Sequence, residues 1–347
     1  MANDMFETLK LLCETPGPVG REDEVQKKFI SHIEPYCGRT TQDKIGNVVA
    51  TLVGSKQHYA LVAHADEVGF LVSSIDSNGF MKTKWNTQGY MPDLRLLPGQ
   101  RVVIMTEEGR VPACFCVKTA HIAGAKGKKK IPEYDEIFLD VGEASEADVS
   151  QRGVRIGDPA IYDSRLERMG RNWVGKAIDD RVGLTIMIET ARMLSRLDVS
   201  ERPSVTFVST VMEELGAKGA AAIADELDVD GVIVLDIGLA DDYPGTSGEA
   251  NVSLGEGPVV VIKDNQIHYS HQLNKLVYQA AQNRGIPVQR AVYHNYATDG
   301  QKIASRGQRV SAIGIPCRYS HSSFETIRPE DLDWTIQLVE EFLLTRG

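Results

Sequence analysis

The chain has 347 residues, 42% apolar and 25% charged, which is enough for a sizeable core and favours two domains over one. Acidic residues outnumber basic ones by 48 to 38, for a formal net charge of −10. That excludes the broad basic face nucleic acid requires. No apolar run approaches the ~20 residues of a bilayer span, and the start lacks the basic and apolar regions of a secretory leader, so no membrane partner is expected.

Cys13, Cys37, Cys114, Cys116 and Cys317 are an odd and scattered set without CxxC knuckles. They predict reduced thiols and a cytoplasmic protein rather than a disulfide framework. The Asn251-Val252-Ser253 sequon is then incidental.

In chain order, helical periodicity runs from Met5 to Glu14, breaks at Pro16-Gly17, and resumes from Glu22 to Tyr36. Strands follow at Asn47 to Val53 and Tyr59 to His64, the second a continuous apolar run suited to burial on both faces of a parallel sheet. From Val68 to Asp163 the character changes to short alternating segments (GFLVSSI, GFMKTKW, RVVIMT, ACFCVK, EIFLDVG, DPAIYD) separated by turn residues. That spacing predicts a small β module. Within it, the basic run Lys126 to Lys130 reads as a solvated loop.

After Trp173 the alternation of helix and strand returns. A helix is expected over Asp180 to Leu197, then strand SVTFVST, helix AKGAAAIADEL and strand GVIVLD. Strand PVVVI, helix HQLNKLVYQAAQNR, strand VSAIGIP and an amphipathic helix from Leu332 to Leu344 complete the series. The expected fold is a three-layer α/β sandwich built from residues 1–67 and 164–347, with a barrel-like β domain inserted at 68–163. Ile186-Met187-Ile188 falls at helical spacing and reads as core. The stretch from Gly245 to Gly257 lacks a Gly-Lys-Ser/Thr ending, so nucleotide binding is not expected. Glu256 and Asp299 read as turn residues.

Five patterns carry chemistry: His64-Ala65-Asp66-Glu67, Asp179-Asp180-Arg181, Glu213-Glu214, Asp236 and His321. Four of them follow an apolar strand, where open α/β sheets form their ligand crevice, and Asp179 opens a helix that can reach the same edge. Singly, each has a plain structural explanation: a satisfied core histidine, acids at a helix N-terminus, a strand-end cap, a loop histidine. Jointly they are an expensive set of acids on apolar strands unless paired or bound to metal. Imidazoles with carboxylates and no thiolates suit zinc, cobalt or manganese, and a shared carboxylate lets a compact set hold two cations. Asp66 can accept the distal ring proton of His64. One of Glu213 and Glu214 can ligate while the other serves as general base.

The order His-x-Asp, Asp, Glu-Glu, Asp, His resembles the glutamyl and tetrahedral (TET) aminopeptidase family of dinuclear metallopeptidases. The resemblance covers essentially the whole chain, including HADEVGF, RGVRIGDP, GKAIDDRVG, EELGAKGA, LDIG, NVSLGEGP and YSHSSFE. It implies one cation held by His64, Asp179 and Asp236 and a second by Asp179, Glu214 and His321, with Asp179 bridging. It also implies Glu213 as general base, Asp66 as the residue behind His64, and N-terminal residues of peptides as substrate. The inserted module resembles the family's dimerisation domain, and the family often forms dodecameric tetrahedral shells. Two departures, Ser322-Ser323 where the family commonly has a proline nearby and Gly300 where Ala is usual, bear on specificity. Rival readings are a dipeptidase or acyl-amino-acid hydrolase on the same site, and a non-catalytic cage subunit. A glycosidase ranks low because it needs two free carboxylates rather than a metal cluster.

Overall fold

The computed structural model describes residues 2–89, 91–127, 130–246, 248, 250 and 251–345. Lys128 and Lys129 of the basic run, and Ser247 and Glu249 of the glycine-rich stretch, lie outside the described residues.

Two N-terminal helices, α1 (Ala2–Glu14) and α2 (Asp23–Ile33), precede the first strands, and α2 ends in a 3-10 turn where Pro35 cannot continue it. Strands β1 (Arg39–Gln42), β2 (Val48–Leu52) and β3 (His58–His64) follow. The chain then enters a closed barrel of β4 (Phe70–Ile75), β5 (Met81–Trp85), β6 (Arg101–Thr106), β7 (Gly109–Cys116), β8 (Phe138–Asp140) and β9 (Pro159–Tyr162). Short helices α3 (Ala120–Gly127) and α4 (Glu146–Gln151) interrupt it, neither expected from periodicity. The barrel has its own apolar core around Phe70, Phe115 and Leu139, separate from the main one.

The second half supplies β10 (Glu167–Met169), β11 (Asn172–Gly175), α5 (Ile178–Leu194), β12 (Ser204–Thr210), α6 (Lys218–Ile223) and β13 (Gly231–Leu239). It continues with β14 (Val259–Lys263), α7 (His271–Arg284), β15 (Gln289–Val292), α8 (Gly300–Ala304), β16 (Val310–Arg318), β17 (Glu325–Ile327) and α9 (Pro329–Thr345). Among the described residues these strands and β1–β3 form one large sheet in the order β1-β2-β12-β3-β13-β16-β17-β11-β10, with β14 and β15 branching from β16.

The four central strands β12, β3, β13 and β16 run parallel. All but one residue of each is buried, as expected for a sheet covered by helices on both sides. Helix α5 lies along β3 and β13 with α1, α2 and α9 packed against it, while α7 and α8 meet β16. Ile186, Met187 and Ile188 are all in the core. The apolar stripe of α9, from Leu332 through Ile336 and Val339 to Leu343, is buried at the three-to-four spacing that made it legible. A Cβ on Gly183 would sit 2.8 Å from Ala63 Cβ and 2.6 Å from the Asp180 carboxylate. The glycine is what lets the first turn of α5 close on β3. No helix among the described residues is long and apolar enough to cross a membrane.

Candidate metal centre and active site

Parallel pairing brings the carboxyl ends of the central strands to one edge. His64 is the last residue of β3 and lies opposite Thr210, the last of β12, three residues before Glu213. Asp236 sits inside β13 rather than after it, opposite Gly314 of β16. His321 follows β16 by three residues. Asp179 lies at the start of α5, where it and Asp180 depart from helical geometry and are joined by a cis peptide bond. The turns that deliver these groups use left-handed backbone at non-glycine residues, with φ of 55° at Ala177, 53° at Met212 and 63° at His321. Such conformations cost ~1–3 kcal/mol each and persist only where surrounding contacts enforce them.

His64, Asp179, Glu213, Glu214, Asp236 and His321 all line one cavity of about 270 Å³. The Nε2 of His64 is 3.2 Å from Oδ1 of Asp179. The Nε2 of His321 lies 3.7 Å from Oδ2 of the same aspartate and 3.2 Å from Oε1 of Glu214. Asp179 thus faces one imidazole with each oxygen. Donors at ~2.0–2.2 Å from one tetrahedral cation lie roughly 3.4 Å apart, so these separations fit metal coordination. One donor atom from each of His64, Asp179 and Glu214 lies within 4.8 Å of the others.

The electrostatics point the same way. Burial opposes charge on His64, yet the carboxylates of Asp179 and Asp66 override it and hold the imidazole well above its usual range. His321 is pushed up to about 10, against burial, by Glu214 and Asp179. Burial and the surrounding acids, in turn, drive the carboxyls of Glu213 and Asp236 upward. Carboxyls outnumber imidazoles here, and a divalent cation favours the ionised form of every one of them. The donor set, all nitrogen and oxygen, fits hard or borderline divalent metals.

The structure places Asp66 differently from a simple partner to the His64 ring. The nearest acceptor to His64 Nδ1 is the Asp66 main-chain oxygen at 3.2 Å, and the carboxylate Oδ1 is 3.6 Å away. That carboxylate accepts the N–H of Glu213 at 2.9 Å and of Glu214 at 3.0 Å. Asp299 is a buried acid, its carboxyl pushed up to about 6 by burial, and Thr210 Oγ1 donates to it at 2.5 Å. It does not line the cavity.

Several contributors escape a reading of strand-end acids. Ser320 donates to Asp179 Oδ2 at 3.1 Å. The loop after β5 reaches from the barrel into the cavity with Gln88, Met91 and Asp93, and the Gln88 N–H donates to the Glu214 carbonyl at 2.7 Å. Glu22 accepts the Met212 N–H at 3.1 Å. Asp180 accepts the His64 N–H at 3.2 Å. Glu325 accepts N–H groups from Asp179 and His321. The doubled aspartate and the segment Ser322-Ser323-Phe324-Glu325 were visible signals, but Glu22 had none.

Of the two departures, Ser323 donates to Gln100 at 2.8 Å and the buried Ser322 to the Tyr319 carbonyl at 2.6 Å. Gly300 is buried at the start of α8, where a Cβ would meet Tyr269 and Thr298 at 3.0 Å. Its absence of a side chain therefore serves packing.

Residues 46–338 match the M42 glutamyl aminopeptidase family. The lysyl aminopeptidase of Pyrococcus furiosus is 28% identical over 344 residues, covering 97% of this chain and 96% of that protein. A TET aminopeptidase from a marine-sediment Thaumarchaeota archaeon superposes with a TM-score of 0.93 at 32% identity, covering 99% and 96% of the two chains. The TET1 peptidase of Pyrococcus horikoshii, which can assemble into a tetrahedron or a large octahedral shell, gives a TM-score of 0.88 at 27% identity over 98% and 99%.

Proposed function

The chain belongs to the M42 glutamyl aminopeptidase family and is an aminopeptidase, and from that premise we propose that it cuts N-terminal residues from peptides with two divalent cations. His64, Asp179 and Asp236 would hold one cation, and Asp179, Glu214 and His321 the other. The observation that carries this reading is Asp179 presenting one oxygen to each imidazole, at 3.2 and 3.7 Å. Zinc, cobalt and manganese all suit these donors.

The metals, when bound, supply Lewis acidity that lowers the pKa of water toward neutrality and offsets the charge developing on the scissile carbonyl. The protein's own part is proton movement and placement. Glu213 lines the cavity, and its main chain is held by Asp66. In this role its carboxylate takes a proton from the attacking water and returns it to the departing amine. Asp66 fixes Glu213 and Glu214 together, so base and ligand keep a constant separation. The loop carrying Gln88, Met91 and Asp93 lines the approach to the donors.

The assembly proposal is a homodimer through the inserted barrel, extending to a tetrahedral dodecamer. It is supported by exposed apolar residues of the module, Phe80, Ile122, Ile131 and Ile156, and by the shells formed by the Pyrococcus horikoshii relative. The scattered free cysteines favour a cytoplasmic setting.

A panel of aminoacyl and N-blocked aminoacyl p-nitroanilides, with dipeptides, tests the activity. Turnover confined to substrates with a free amine supports the aminopeptidase reading. Preference for blocked substrates would favour the acyl-amino-acid hydrolase. Absence of hydrolysis in a fully metal-loaded protein would favour the cage subunit.

A further inference from the structure

We infer that Glu325 is a positioning residue that sets the placement of Asp179 against His321, and so governs the cation those residues share with Glu214. The inference rests on the metal-site reading above. Glu325 opens β17, is 1% exposed, and is paired through its backbone with Gly175 of β11, the strand that leads to Asp179. Its Oε2 accepts the main-chain N–H of Asp179 at 3.1 Å and its Oε1 accepts that of His321 at 2.8 Å. One carboxylate thereby ties together two segments that approach the site from opposite ends of the catalytic half of the chain.

No Lys or Arg makes an ion pair with Glu325 among the described residues. Burial and the nearby Asp179 oppose charge on Glu325, a cost that an apolar or amide side chain would avoid. What only a carboxylate offers is two acceptor oxygens aimed at two N–H groups. A carboxamide would set its own NH₂ against one of them.

The same device recurs around the site. Asp66 accepts from Glu213 and Glu214, Asp180 from His64, and Glu22 from Met212 beside the base. Met212 and His321, two of the left-handed non-glycine residues, each have their N–H held in this way. Anions around the donors thus fix the backbone from which the donors project. Glu325 differs from the others in gripping two proposed ligands of one cation, whereas His64 has Asp180 and Asp236 has the β13–β16 pairing. Its loss should therefore weaken the second cation, two of whose ligands it places, more than the first, which shares only Asp179. Outer partners of metal ligands typically contribute 10–100-fold in affinity.

The experiment is calorimetric titration of metal-free wild type, Glu325→Ala, Glu325→Gln and His321→Ala with Zn²⁺, alongside kcat and KM at fixed and raised metal. The expected result is a second equivalent weakened about 10–100-fold in both Glu325 variants and a first weakened less, since only Asp179 is common to the two. Their kcat should fall with KM little changed, and excess metal should restore it, as a general folding defect would not allow. The isosteric Glu325→Gln keeps the test intact where Glu325→Ala does not fold. Two equivalents at wild-type affinity in both Glu325 variants, with His321→Ala losing one, would overturn the role of Glu325 alone. Two equivalents retained in His321→Ala as well would overturn the metal-site reading beneath it.

Discussion

The carboxylate of Asp66 accepts the main-chain N–H of Glu213 at 2.9 Å and reaches the next N–H, that of Glu214, at 3.0 Å. The proposed base and the neighbouring proposed ligand are therefore held by one side chain that arrives from the end of β3. Asp66→Asn keeps one acceptor and turns an NH₂ toward the other N–H. Expected are a 10–100-fold loss of kcat and a smaller loss of cation affinity, read from steady-state kinetics and metal analysis of the same preparation. Unchanged kcat would show that this bond does not position the base.

Glu213→Gln removes the proton acceptor and keeps the shape. General base catalysis contributes ~10²–10⁴-fold, so kcat should fall by that amount while bound metal stays at the wild-type level by mass spectrometry under native conditions. Near-normal turnover would move the base elsewhere in the cavity.

The loop after β13 gives a stability prediction with a defined pH dependence. Arg318 donates through Nε and Nη2 to the two oxygens of Asp242, both at 2.6 Å, and Asp242 and Asp241 accept main-chain N–H groups of Leu254, Ala250 and Val252. Burial raises the Asp242 carboxyl, but Arg318 overrides it and holds it below its ordinary value. A depressed acid stabilises the fold above its unfolded pKa and loses that contribution as pH falls through the folded one. Arg318→Gln should cost about 1–2 kcal/mol near neutral pH, with the gap from wild type closing as pH falls below the ordinary carboxylate range. Thermal melts of both proteins from pH 3 to 8 read this directly, and a gap independent of pH would contradict it.

Gly300 is predicted to matter for packing. A Cβ there approaches Tyr269 Cε1 and Thr298 Oγ1 to 3.0 Å, so Gly300→Ala should cost ~1–2 kcal/mol and leave the ranking of N-terminal residues unchanged. A reordered substrate panel with an unaltered melting temperature would place this residue in the specificity pocket instead.

The central strands were legible because burial on both faces demands near-continuous apolar runs, as in Tyr59 to Ala63 and Gly231 to Leu235. The six barrel strands were legible from alternation and turns. Short pieces such as β10, β15 and β17 were not, since three or four residues carry too little pattern. In the site, acids and imidazoles closing apolar strands stood out by their cost. Glu22 did not, because its partner is a main-chain N–H group, which every residue offers and no side-chain pattern marks. Glu325 was visible only as part of the segment after His321, with nothing to mark its main-chain partners. The barrel loop with Gln88 and Asp93 was hidden for another reason: its place at the cavity depends on how the barrel sits against the sheet.

The most direct test of the account is to strip the protein with a chelator and titrate cation back while following bound equivalents and hydrolysis of a free-amine substrate together. Two equivalents per chain should bind, with turnover absent from the stripped protein and reaching its full value only as the second equivalent fills. Full turnover in the stripped protein, or complete recovery with a single equivalent bound at saturation, would contradict it.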